Sequence, residues 1–216
     1  MKDNNEFLQG LRQSYLLASL DISDCSPNPL LQFQTWLDDS LKAQCDEPNA
    51  FVFSSIQDSK PRSRVVLLKG IHDSQFVFYT NYQSDKGHEV ESNSHVCMNF
   101  LWLPLQRQIR VEGVISKVSA DLSDNYFKKR PRGSQLGAIA SPQSQKMSSR
   151  EELENLFKNA EKSFEGVEVL PRPTHWGGYQ IKPTYIEFWQ GRDNRMHDRI
   201  CYKFDNNQWE VFRVAP

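Results

Sequence analysis

Apolar residues follow two rhythms along this chain. Leu30, Phe33, Leu37 and Leu41 recur at spacings of three and four, the period of one helix face. Asn28-Pro29 stands before them as a cap and a first-turn proline, so a helix is predicted over 29–44, in a region closed by Pro48. Elsewhere the apolar residues come in short blocks rich in Val, Ile, Phe and Tyr. These blocks, 51–56, 64–69, 76–80, 96–101 and 108–118, read as strands separated by polar turns. The interval 84–94 has room for a short helix. Ser119 can cap another that runs to about Lys129 and stops at Pro131. Ser148-Ser149-Arg150-Glu151 reads as a capping box, and Leu153, Leu156, Phe157 and Ala160 give the helix behind it an apolar face. Strands return at 177–181, 185–190, 199–203 and 209–214, with Asp205-Asn206-Asn207 as the last turn.

This order predicts a mainly β fold with peripheral helices. Strands spaced by 10 to 20 residues suit an antiparallel barrel or sandwich better than repeated βαβ units. Residues 1–27 are polar apart from the patch 15–20 and read as an N-terminal arm; residues 28–216 read as a single domain.

Composition narrows the function. The apolar fraction is 38%, carried largely by 13 Phe, 7 Tyr and 5 Trp. The 26 basic and 27 acidic residues give a net charge of −1, which argues against a general polyanion binder and so against nucleic acid. No apolar run approaches the 18 or so residues of a membrane span, and residues 1–6 lack an apolar signal core. Cys25, Cys45, Cys97 and Cys201 are far apart, and the five histidines share no helix-face metal spacing with a carboxylate. The expectation is a cytoplasmic protein with reduced thiols and no intrinsic metal site.

Three basic clusters stand out. In Arg64-Val65-Val66-Leu67-Leu68-Lys69, two cations bracket an apolar strand across which an anion could lie; ordinary strand-end charges are the plainer alternative. Tyr126 and Arg130 are four apart on a predicted helix, and Ser134 adds a hydroxyl beyond Pro131. Together they can form a phosphate clamp, or simply a solvated basic helix end. In Arg195-Met196-His197-Asp198-Arg199, a strand would set Arg195, His197 and Arg199 on one face, close in sequence to Trp189, with Asp198 facing away. Such a face needs an anionic or electron-rich partner, or salt bridges to distant carboxylates. Gln108 and Gln143-Ser144 are suited to hydrogen-bond a flat heterocycle. Walker loops, nucleophile elbows and His-Glu-x-x-His are absent.

An ordered series of motifs resembles the pyridoxine/pyridoxamine 5′-phosphate oxidase family. It begins with Arg64-Val65-Val66-Leu67-Leu68-Lys69, Phe78-Tyr79-Thr80-Asn81 and Gln106-Arg107-Gln108. Arg130-Pro131-Arg132-Gly133-Ser134-Gln135-Leu136-Gly137 and Ser141-Pro142-Gln143-Ser144 follow. Trp176-Gly177-Gly178-Tyr179, Ile186-Glu187-Phe188-Trp189-Gln190-Gly191, Arg195-Met196-His197-Asp198-Arg199 and the terminal Arg213-Val214-Ala215-Pro216 complete it.

The resemblance implies an antiparallel split β-barrel of Greek-key type, a homodimer with FMN at the subunit interface. It implies oxidation of pyridoxamine or pyridoxine 5′-phosphate to pyridoxal 5′-phosphate, with oxygen reduced to hydrogen peroxide. By position it puts FMN contacts at Arg64, Val65, Val66, Leu67, Leu68, Lys69, Tyr79, Thr80, Lys86, Gln108, Gln143, Ser144, Trp189 and Arg199. Substrate contacts fall at Lys69, Tyr126, Arg130, Ser134, Arg195, Met196 and His197, with Arg195 and His197 as the catalytic pair. The segment containing Arg12 and Tyr15 resembles one that closes over the substrate. Two positions depart from the family pattern: Asp85 replaces a base between Ser84 and Lys86, and Ile139 stands where Trp is common. Asp85 motivates the alternative of a flavin or pyridoxal-phosphate carrier without turnover.

Overall fold

Strand alternation is plainest in residues 50–57, where Phe51, Phe53 and Ser55 turn inward and are at most 2% exposed. The computed structural model describes residues 4–11 and 13–216. Along the chain, α1 (Asn5–Gly10) and α2 (Pro29–Lys42) lead into β1 (Ala50–Gln57), β2 (Lys60–Leu67), β3 (Gly70–His72) and β4 (Gln75–Asn81). Next come α3 (Asp85–Ser92), β5 (His95–Trp102) and β6 (Arg107–Lys117). Three helices, α4 (Ala120–Lys129), α5 (Arg132–Ala140) and α6 (Arg150–Ser163), precede β7 (Trp176–Gln190), β8 (Asp198–Asp205) and β9 (Gln208–Arg213). None of the described helices is long and apolar enough to cross a membrane.

The chain divides into two compact units. The first comprises residues 1–48, 99–111 and 185–216; the second comprises 49–98 and 112–184. Along the sheet the strand order is β2-β1-β5-β6-β7-β4-β3. In the first unit, β7 pairs with β8 and β8 with β9, both antiparallel. Two-residue hairpins set the register of three pairs: Asp58-Ser59, Asp73-Ser74 and Asn206-Asn207 all have positive φ, from 47° to 62°. Such turns match the twist of paired strands, and Asp and Asn tolerate that backbone better than most residues. The core of the first unit gathers Phe33, Trp36, Phe100, Trp102, Phe188 and Tyr202; that of the second gathers Phe51, Phe53, Phe76, Phe78 and Met98. A satellite core of Phe127, Leu136, Ala160, Leu170 and Trp176 lies under the helices of the second unit.

The helix at 29–42 begins as expected, with the Asn28 side chain accepting from the Leu30 N–H at 2.9 Å. Ser119 likewise accepts from the Leu122 N–H. Four expectations are corrected. The helix capped by Ser119 ends at Lys129 as expected, but Pro131 is also the N-cap residue of α5, a helix the sequence pattern did not predict. Proline lacks only the N–H that a helix start leaves unpaired anyway. The cap of α6 is Ser149, one residue later than read, and Glu152 reaches back to the Ser148 N–H at 2.8 Å and hydroxyl at 2.6 Å. Its apolar face is only partly covered: Ala160 is buried, Leu153 and Phe157 are half-buried, and Leu156 is exposed. The strands read at 177–181 and 185–190 are one 15-residue strand, since Pro183 removes a donor without disturbing extended φ.

Candidate active site

In the second unit, the ends of β2 and β4 and the helices beside them enclose a cavity of about 350 Å³. Val65, Val66, Leu67 and Lys69 form one side, and Tyr79, Thr80 and Asn81 another. Lys86, Tyr126, Arg130, Gln143 and Trp176 complete it. Arg64, Leu68, Ser134 and Ser144 do not line it. Leu68 is buried, while Ser134 and Ser144 are exposed, Ser134 in the first turn of α5 and Ser144 with φ 69°.

Arg64 turns to the buried Glu89 of α3, its Nη2 donating to both carboxylate oxygens at 2.8 and 2.6 Å. Its Nη1 donates to Ser55 Oγ at 2.7 Å, and that hydroxyl donates to Glu89 in turn. The polar Ser55 on an otherwise apolar face is thereby explained. Glu89 was missed by the sequence reading; its signal was an acid on the same side of a short helix as Val90.

Lys86 reaches across to donate to Gln143 Oε1 at 2.8 Å and Ser84 Oγ at 2.9 Å, while Thr80 Oγ1 donates to the same Gln143 oxygen. Burial, reinforced by the nearby Arg64, pushes the Lys86 ammonium down to about 8. Asp85, the departure beside it, is exposed in the first turn of α3 and does not line the cavity. There it opposes the positive end of the helix dipole.

Three rings lie nearly parallel at the other side. Tyr79 stacks on Tyr126 at 3.9 Å and on Trp176 at 5.6 Å, with interplanar angles of 11° and 10°. Gly178 makes this possible, because a Cβ there would stand 2.8 Å from Tyr79 Cε1. Arg130 spreads its guanidinium 4.5 Å over Trp176. Its buried Nη1 has no hydrogen-bond partner. Burial lowers the Arg130 pKa and raises those of Tyr79, to about 12, and Tyr126. A guanidinium with an unused buried donor, two lysines and flat aromatic walls suit an anionic heterocycle. Arg132 is used elsewhere, donating to the Phe164 and Val167 carbonyls at the end of α6, both at 2.7 Å.

The first unit gathers the remaining predicted residues. Trp189 and His197 have ring centroids 4.6 Å apart, and Tyr15 meets both edge-on at 5.9 and 5.7 Å. Arg195, His197 and Arg199 do not share a strand face, which corrects the sequence reading. Asp193–Arg195 form a 3-10 turn, Asn194 and Arg195 have φ of 53° and 60°, and β8 starts only at Asp198. Left-handed backbone at two successive non-glycine residues is a cost that alternation cannot foresee. Arg195 and Met196 are exposed.

The Arg192 N–H donates to His197 Nδ1 at 3.1 Å. The neutral imidazole therefore carries its proton on Nε2. Burial and then Arg195 depress the His197 pKa, which favours that neutral form. Arg199 donates to both oxygens of the buried Glu187 at 2.9 and 3.0 Å, and Arg110 adds a third bond at 3.0 Å. These pairings hold Glu187 below the usual carboxylate range despite its burial. Asp198 pairs with none of Arg195, His197 and Arg199 in a hydrogen bond and instead accepts from Arg192, Arg213 and the Leu20 N–H. Gln108 accepts from Asn99 Nδ2 at 3.5 Å. Arg12 lies outside the described residues.

A family model described as pyridoxamine 5′-phosphate oxidase matches residues 37–162, and a second, described as the pyridoxine 5′-phosphate oxidase C-terminal dimerisation region, matches 176–216. The chain belongs to the pyridoxine/pyridoxamine 5′-phosphate oxidase family. Curated members carry the name pyridoxine/pyridoxamine 5′-phosphate oxidase. One from Leptospira interrogans is 49% identical over 95% of this chain and 97% of its own length. Another from Cytophaga hutchinsonii is 47% identical over the whole of both chains.

Among solved structures, PhzG from Burkholderia lata 383, in complex with tetrahydrophenazine-1-carboxylic acid, is 26% identical. It covers 92% of this chain and 100% of its own, with a TM-score of 0.85. An FMN-binding relative from Nostoc punctiforme, 14% identical with a TM-score of 0.69 over 85% of this chain and 97% of its own, shares the fold. The architecture is the split barrel of this family, as its motifs implied.

Proposed function

We propose that this chain is an FMN-dependent oxidase that converts pyridoxamine and pyridoxine 5′-phosphates to pyridoxal 5′-phosphate, with oxygen reduced to hydrogen peroxide. The observation that carries this reading is the cavity where the unpartnered Arg130 Nη1, Lys69 and Lys86 surround stacked rings, in a chain with full-length likeness to the family.

FMN would be held by Val65, Val66, Leu67, Lys69, Tyr79, Thr80, Lys86 and Gln143 of the cavity, with Arg64, Leu68 and Ser144 contributing from outside its lining. When bound, FMN supplies a two-electron acceptor. Gln108, Trp189 and Arg199 would complete its site from a partner protomer, which makes a cytoplasmic homodimer the working unit. The match to a dimerisation region over residues 176–216 supports that assembly.

Tyr126, Arg130, Ser134 and Lys69 bind the substrate phosphate, charge-assisted bonds doing most of the holding. Arg195 and His197 cover the substrate ring, with Met196 alongside. The His197 Nε2–H orients the amine or hydroxyl, and Tyr15 with Arg12 limits access of water. Positioning is then the main contribution of the protein. The amine substrate leaves as an imine that water hydrolyses, whereas the alcohol gives the aldehyde directly.

The carrier alternative rested on Asp85, and that carboxylate is exposed outside the cavity lining. Purified protein is expected to be yellow and to form pyridoxal 5′-phosphate from pyridoxamine 5′-phosphate while consuming oxygen. A folded, flavin-loaded sample that consumes none would overturn the reading.

A further inference from the structure

Gly191, the residue after β7, is buried and its φ lies outside the left-handed region, so backbone conformation does not demand a glycine there. Space does. A Cβ at this position would stand 2.8 Å from Tyr15 Cγ and 2.9 Å from Tyr15 Cβ, closer than real Cβ atoms come. The peptide cannot readily withdraw, because the Gly191 N–H donates to the Gln106 carbonyl at 2.8 Å and the next N–H, of Arg192, holds His197 Nδ1. The group that must yield to an added methyl is therefore Tyr15.

Tyr15 also occupies a singular position in its own segment. Among the described residues from Asn4 to Leu17, it is the one that is not exposed. Leu17 and Leu20 are tied by their N–H groups to Gln106 Oε1 and Asp198 Oδ2, at 3.2 and 3.0 Å. Before Leu17, the Tyr15 ring packs against Gly191, Trp189 and His197. We infer that Gly191 is a positioning residue: its missing side chain seats Tyr15, and through Tyr15 it fastens the N-terminal segment beside the His197 imidazole. The inference rests on the proposed function only for its catalytic consequence; the seating itself is a matter of packing.

The test is a double-mutant cycle of Gly191→Ala and Tyr15→Ala in flavin-loaded protein, read by the rate of trypsin cleavage at Arg12 and by KM and kcat for pyridoxamine 5′-phosphate. Gly191→Ala should speed cleavage by about tenfold and raise KM more than it lowers kcat, as overpacking of a docked ring requires. Tyr15→Ala should do the same, and the double variant should be no worse than Tyr15→Ala alone. Unchanged cleavage in Gly191→Ala, or effects that add fully in the double variant, would overturn the inference. If Gly191→Ala misfolds, recovery of its thermal stability by Tyr15→Ala supports the seat, and equal misfolding of both contradicts it. A wild-type protein without turnover would defeat the oxidase reading while leaving the cleavage cycle to decide this one.

Discussion

The cavity of the second unit and the imidazole loop of the first solve the same problem, fixing polar groups in place, by different means. The cavity is built on regular elements: Tyr79 on a strand, Tyr126 on a helix, and Lys86 in the first turn of another. Its rings lock one another by stacking, Arg130 lies over the Trp176 ring, and Lys86 is held by Gln143 and Ser84. The imidazole loop has left-handed backbone at Asn194 and Arg195 and draws its order from distant segments. Leu20 comes from the N-terminal segment, Arg213 from the last strand, and Asp198 ties both to Arg192. A rigid cavity suits phosphate binding, and a loop held by several segments suits a group that must admit and release a substrate.

The largest effect is expected where the cavity rests on a buried charge. Arg64→Leu leaves the Glu89 carboxylate, only 2% exposed on its side chain, without its cation. Unpairing a buried ion pair in this way costs about 3–5 kcal/mol. Urea unfolding of the flavin-free protein measures it, and a cost near that of an exposed pair would show that the cavity floor is not built on this bond.

Next is the unused donor itself. Arg130→Ala should weaken substrate binding by about 10- to 100-fold, the range for charge-assisted bonds to a phosphate. FMN should be retained and the stability cost should stay within about 2 kcal/mol, that of the lost cation–π contact over Trp176, because Nη1 has no hydrogen bond to lose. Steady-state KM beside flavin fluorescence separates the two outcomes. Arg195→Ala should instead lower kcat, since it belongs to the loop and not to the clamp; equal, intact turnover would remove it from the reaction.

The pH dependence of FMN binding sharpens the contrast further. Lys86 is lowered to about 8 in the ligand-free protein, and a phosphate favours its charged form. Affinity should be constant below pH 8 and fall as pH rises above it, the bound state keeping the proton longer. Titration of the apoprotein with FMN at several pH values tests this. Lys86→Met should bind more weakly and lose the slope.

The smallest effect belongs to α6, none of whose residues lines the cavity. Ser149→Ala should cost about 1 kcal/mol by freeing the Glu152 N–H, with no change in flavin binding.

What could be read from sequence followed the same divide. Strand blocks, the Asn28 and Ser119 caps and the last hairpin turn were legible because local periodicity and turn chemistry determine them. Tyr126 and Arg130 were placed together by helix spacing alone, and both line the cavity. The Arg195–Arg199 stretch was misread because alternation assumes extended backbone, and the left-handed pair there depends on tertiary contacts. Asp198 and Glu89 were invisible as partners for a related reason: their cations lie far away in sequence or on another element. Trp176 appeared only as part of a motif, and its service as the platform under Arg130 needed the fold.

The most direct test of the central claim is the absorbance spectrum of the purified, FMN-loaded protein on anaerobic addition of pyridoxamine 5′-phosphate. Loss of the yellow flavin absorbance, its return when oxygen is admitted, and one pyridoxal 5′-phosphate formed for each flavin reduced are the predicted result. A flavin spectrum unchanged by saturating substrate in folded protein would contradict it.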